Sequence, residues 1–271
     1  MSVVLMRDDL EAATTTILGL GFDGIEVHLD HLGPGMPGVP IFERHAEAAG
    51  ELVRRHGLRV GTLNAVADPS FDPFGGSEAF DATVRALALQ LRLAAAMGSP
   101  RLLIYEGRVA EADELPRASD TLARCIEQAR QVSGLADPPV ISVECHPFTW
   151  ALAHRRLAQL ARALASVGSG ICLDFCHFAV ALGPDFMAEI DDEILGAINH
   201  VHFADSDAAT PELHFPPGLG VLDLEAIARK LAGRGLAIAW DLFGWPGPRT
   251  AIRATMPAYA AFVDACRRET R

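Results

Sequence analysis

Eight short apolar runs alternate with longer stretches whose apolar residues fall three and four positions apart, and no segment is left over for a second domain. That alternation predicts an α/β protein, a single (β/α)8 TIM barrel spanning residues 1–271, because repeated βα units return the chain for one parallel strand after another. Composition agrees. Half the residues are hydrophobic and mean hydropathy is +0.20, which suits strands buried on both faces. Barrels of roughly 250 residues commonly form one domain, so the length requires no split.

The predicted strands are, in order, Val3–Met6, Gly24–His28, Arg59–Asn64, Arg101–Glu106, Val140–His146, Gly170–Asp174, Asn199–Phe203 and Leu236–Leu242. Helical spacing between them is clearest at Leu87, Leu91, Ala94 and Ala95, and at Leu122, Ile126 and Ala129. Asp223 before Leu224-Glu225-Ala226 reads as a helix N-cap. The preceding Gly218-Leu219-Gly220 follows a long loop, so turn geometry explains it better than phosphate binding does. Neither GxxxxGK[ST] nor a first-unit GxGxxG is present.

The charge excludes several classes of function. A formal charge of −12, with 35 acidic residues against 23 basic, repels a phosphate backbone, so nucleic acid is not an expected partner. The sole lysine, Lys230, falls in a predicted helix away from any strand end, which disfavours Schiff-base chemistry. Five cysteines without CxxC spacing do not make a disulfide framework, and a reduced cytoplasm is the expected location. No apolar run reaches the length of a membrane span, and no membrane partner is expected.

Chemistry collects at the carboxyl ends of the later strands, where barrels place their active sites. In Val140–His146 the apolar residues share one parity and Ser142, Glu144 and His146 the other. Asp174 ends the next strand, with His177 three residues on; His200 and His202 share one face of the next, and Asp241 lies near the end of the last. A lone inward carboxylate pairs with arginine or caps a helix as often as it ligates. Gathered on one rim, Glu144, Asp174 and Asp241 would repel one another strongly, and a divalent cation bound with His202 is the simplest reason for their company. His200 is expected to pack deeper, and Cys172 and Cys176 to serve packing. Glu26, His28, Asn64, Tyr105 and Glu106 are placed to line the same mouth.

These segments resemble the xylose isomerase-like TIM-barrel superfamily, the sugar phosphate isomerases and epimerases together with inosose dehydratase and apurinic endonucleases. The matching pieces are Gly19-Leu20-Gly21-Phe22-Asp23-Gly24-Ile25-Glu26-Val27, Val143-Glu144, Leu173-Asp174-Phe175-Cys176-His177 and His200-Val201-His202-Phe203-Ala204-Asp205. The resemblance implies that Glu144, Asp174, His202 and Asp241 bind one divalent metal (Mn, Mg, Co or Zn). It implies that His177 meets the substrate, a small polyhydroxylated carbonyl compound, and that Glu144 and Asp241 exchange a proton beside that carbonyl. His214, Glu26 and Asn64 complete the expected substrate contacts. One departure stands out: the last strand usually ends in Glu, and here it carries the shorter Asp241. The loop with Glu212 and His214 resembles the ligand-bearing loop of the endonucleases, but Asn64 and Tyr105 stand near the places of two further zinc-binding histidines. A metal-dependent sugar or cyclitol isomerase or epimerase is therefore the leading expectation. The alternatives are a dehydratase with the same metal, a non-catalytic binding or partner subunit, and, least favoured, an endonuclease-like phosphodiesterase. Barrels of this kind often associate through exposed helices, so a homo-oligomer stays open with no interface named.

Overall fold

The structure, a computed structural model, describes residues 8–32, 41–66, 71–109 and 112–268. Among the described residues seven strands form one parallel sheet in chain order: β1 (Gly24–His28), β2 (Arg59–Asn64), β3 (Arg101–Tyr105), β4 (Val140–Glu144), β5 (Gly170–Asp174), β6 (Ile198–Phe203) and β7 (Ala237–Trp240). The predicted strand Val3–Met6 lies outside the described residues. The sheet curls into a barrel, because Glu26 on β1 meets His200 and His202 on β6, which are not its neighbours in the sheet.

The helices cover the outside: α1 (Leu10–Gly19), α2 (Glu43–Arg55), α3 (Gly76–Met97), α4 (Ala118–Ser133), α5 (Trp150–Ala153), α6 (Leu157–Ser166), α7 (Phe175–Leu182), α8 (Asp192–Ala197), α9 (Leu224–Leu231) and α10 (Pro248–Arg267). Their apolar stripes explain the packing. On α3, Leu87, Leu91 and Ala94 are buried, and on α4 Leu122, Ile126 and Ala129 are. Outward residues of β6 and β7 meet α7 and α10 through an aromatic cluster: Phe203 lies 4.6 Å from Phe262 and 5.3 Å from Tyr259, ring centre to ring centre, and Trp240 stacks on Tyr259 at 4.8 Å. Inside, Gly170 admits a close crossing. A Cβ there would sit 2.4 Å from the Ala197 carbonyl and 2.6 Å from the Asn199 Nδ2, whose partner oxygen Oδ1 accepts from the Ser142 hydroxyl at 2.7 Å.

Several strand limits correct the sequence expectation. β4 stops at Glu144 rather than His146, because the His146 amide turns aside to donate to the Glu106 carboxylate at 3.1 Å. β3 ends at Tyr105, one residue before that carboxylate. β6 starts one residue early, at Ile198. β7 covers only Ala237–Trp240; the Asp241 carboxylate accepts from the Phe243 amide at 2.9 Å and bends the chain out of the sheet. Among the described residues no helix is long and apolar enough to cross a membrane.

Candidate metal centre

Glu144 and Asp174 close β4 and β5, His202 is the penultimate residue of β6, and Asp241 follows β7 directly. All four are buried at the carboxyl mouth of the barrel. His202 is their common neighbour. Its Nδ1 lies 2.9 Å from Glu144 Oε1, 3.4 Å from Asp174 Oδ2 and 3.7 Å from Asp241 Oδ2. Its other nitrogen, Nε2, faces Glu26 at 3.3 Å. Glu26 also contacts His200 Nε2 at 3.0 Å and accepts from the Asn64 amide at 2.9 Å. Both Glu26 oxygens are thus engaged behind His202, and the Asn64 carbonyl accepts from the Val66 amide. His200 is fully buried one layer deeper.

Asp174 doubles as a helix cap. Its Oδ1 accepts from the His177 amide at 2.9 Å and starts α7, which leaves Oδ2 for the centre. The cap fixes His177, whose Nδ1 lies 3.9 Å from Glu144. A strap after β6 brings His214 from the other side. Asp205 and Phe215 form an antiparallel bridge, the His214 amide donates to the Phe243 carbonyl at 3.0 Å, and its Nδ1 lies 3.2 Å from Asp241 Oδ2. Asp205 closes the strap at its base: the buried carboxylate accepts from the amides of Ser206, Gly218, Gly220 and Leu222 at 2.9 to 3.1 Å. The Gly218-Leu219-Gly220 amides therefore serve the loop. A Cβ on Gly220 would lie 2.3 Å from that carboxylate.

Burial disfavours every charge here, yet the groups ionise one another. For Asp174 burial pushes the carboxyl up, but His177, His214 and His202 outweigh it and hold the group well below the usual carboxylate range. Glu144 is lowered the same way against burial, chiefly by His202. Burial likewise opposes protonation of His202 and His214; the facing carboxylates, Glu26 and Glu144 for the one and Asp174 and Asp241 for the other, raise both well above the ordinary imidazole value.

His146, on the inward parity of the run Val140–His146, also packs against the site. The His146 ring lies 4.4 Å from that of His177, and burial lowers its pKa to about 4. Glu106, reached by the Thr149 hydroxyl and the His146 amide, is pushed well above its usual value by burial. Those contacts depend on the turn after β4, which no local pattern announces.

The donor set fits a metal ion. Asp174 Oδ2, His177 Nδ1 and His214 Nε2 are buried without a hydrogen-bond partner, a costly state for polar atoms unless something fills the space between them. Ligand atoms of Glu144, Asp174 and His202 lie within 4.8 Å of one another, as do those of Asp174, His177 and His214 and those of His146, His177 and Glu212. Carboxylate oxygens with imidazoles suit a borderline divalent ion. Asp241 stands at the edge, next to His214.

Comparison with known proteins agrees with this architecture. No curated protein matches the sequence. Among solved structures, a D-tagatose 3-epimerase-like protein superposes with a TM-score of 0.74 at 17% identity, covering 98% of this chain and 97% of its own. Endonuclease IV from Thermus thermophilus gives 0.67 at 18% identity, with 97% of each chain covered. The IolI protein, solved with a bound zinc atom, gives 0.69 at 17% identity, covering 97% of this chain and 95% of its own. At such identities the likeness is one of fold. A family model described as xylose isomerase-like TIM barrel matches residues 16–255, and the chain belongs to that family.

Proposed function

We propose that this protein is a divalent-metal-dependent isomerase or epimerase of a small polyhydroxylated ketone, a sugar or cyclitol, acting by proton transfer beside the carbonyl. The carrying observation is the environment of His202: carboxylates from three strand ends converge on Nδ1, while Glu26 faces Nε2. An imidazole that ligates through one nitrogen and is oriented by a carboxylate on the other is the usual arrangement of a metal-bound histidine. Glu144, Asp174 and His202 would hold the ion, with Asp241 beside them. When bound, the ion supplies Lewis-acid polarisation of the carbonyl.

The side chains supply the rest. Glu144, kept ionised by His202, accepts a proton from the carbon next to the carbonyl. Asp241 spends Oδ1 on the Phe243 amide, and its Oδ2, 3.2 Å from His214 Nδ1, returns to the carbon a proton that the His214 imidazolium supplies. His177 and His214 have unpartnered nitrogens with which to hold substrate oxygens. Glu26 and Asn64, already hydrogen-bonded, orient His202 from behind.

The test is a panel of ketoses and inososes incubated in D2O with Mn(II). We expect deuterium incorporation into at least one substrate, reduced about a hundredfold or more by Asp241→Asn with metal content largely retained. Full exchange by that variant sinks the two-carboxylate mechanism, and a dehydrated product assigns the chain to the lyases instead. The grouping of His146, His177 and Glu212 favours a second reading, a phosphodiesterase with more than one ion. Metal analysis separates the two: a single ion per chain supports the isomerase, and two or more with phosphodiester cleavage supports the other.

A further inference from the structure

We propose that the opposite, amino-end face of the barrel holds a binding site for a small phosphate-bearing metabolite, formed by Arg54, Arg59, Arg101 and Arg267 around one cavity. The cavity, about 890 Å³, opens among the starts of β1, β2, β3 and β7 and the end of α10. Its described lining is far from the strand ends that carry Glu144 and Asp174. The volume is that of a small-ligand pocket.

Charge singles it out. In a chain of net charge −12, four arginines line this space against one carboxylate, Asp23, among the described residues. Two have structural roles: Arg59 pairs with Asp23 at 2.5 Å, both exposed, and Arg54 donates to the Met97 carbonyl at the end of α3, at 3.1 Å. Arg101 and Arg267 have no ion pair among the described residues. Arg101 is half-buried, and its Nε is sealed from solvent without an acceptor. Burial lowers its pKa, and the attraction of the buried Glu26 carboxylate only partly offsets that loss of water. A buried guanidinium N–H without an acceptor is unfavourable, and an entering anion adds oxygens to the group. Guanidinium forks match phosphate oxygens two at a time, and several around one cavity select a ligand with more than one negative charge. Tyr259 lends a ring wall, since its hydroxyl already donates to the Ile238 carbonyl at 3.2 Å. A nucleic acid would meet the negative remainder of the surface, whereas a small phosphate compound fits inside.

Isothermal titration of the full-length protein with pyrophosphate, at fixed ionic strength, tests this. We expect saturable binding weakened about tenfold or more by Arg101→Gln, and similarly by Arg267→Gln, as the loss of a charge-assisted contact implies. Arg101 interacts with the Glu26 carboxylate behind His202, so Arg267→Gln is the discriminating variant: pyrophosphate held at the metal end would be indifferent to it, and unchanged affinity there overturns the proposal, as does no binding at millimolar concentration. Citrate at the same ionic strength is expected to bind more weakly; equal affinity overturns the assignment to phosphate. Arg267 is exposed, so its variant keeps the test decisive where Arg101→Gln misfolds.

Discussion

At the residue scale, His202 organises the centre and Glu26 organises His202. Glu26→Gln keeps the shape and the Asn64 contact but removes the anion that holds Nε2. We expect metal affinity to fall about 10- to 100-fold, measured by competition with a chelator. If Glu26 instead touched substrate, KM would rise with metal affinity unchanged. Glu144, Asp174 and His202 were legible in the sequence because each closes or nearly closes a strand on the inward parity. The environment of Glu26 was not. Its partner His200 is 174 residues away, and only curling of the sheet brings β1 across from β6. Asp241 was legible as a carboxylate near a strand end, but its neighbour His214 arrives on a strap whose path depends on the buried carboxylate of Asp205.

At the element scale, β1, β2 and β5 have the predicted limits, since each is an apolar run closed by a turn or a cap. β4 and β7 stop short of the predicted ends where a carboxylate captures an amide that would otherwise continue the strand, as Glu106 does for His146 and Asp241 for Phe243. Element ends set by such tertiary capture leave no local periodicity to read. The strap after β6 depends on the same kind of capture. Asp205→Ala would leave four amides without their acceptor, and we expect a loss of about 3 kcal/mol in denaturant unfolding together with faster proteolysis within residues 206–217. Unchanged stability and cleavage would show that water replaces the carboxylate without consequence.

For the whole molecule, the centre ties folding to pH. His202 and His214 have raised pKa values in the fold, so their contribution is complete below about pH 6.5 and is lost as pH rises through those values. Glu144 and Asp174 have lowered values, so theirs is present above about pH 4.5 and is lost as pH falls through them. Metal-free protein should therefore lose thermal stability as pH rises above about 6.5, whereas metal-loaded protein, in which a cation takes over from the imidazole protons, should hold or gain. Matching profiles for the two forms would contradict this account. The strap has a different consequence. Asp205 pins both its ends, so the segment between them can lengthen or shorten at a cost that grows only slowly with loop size. Glu212 and His214 ride on that segment. The barrel and its strand-end carboxylates can stay constant while this one cassette is exchanged, which makes it the place where a new specificity would be grafted or evolve.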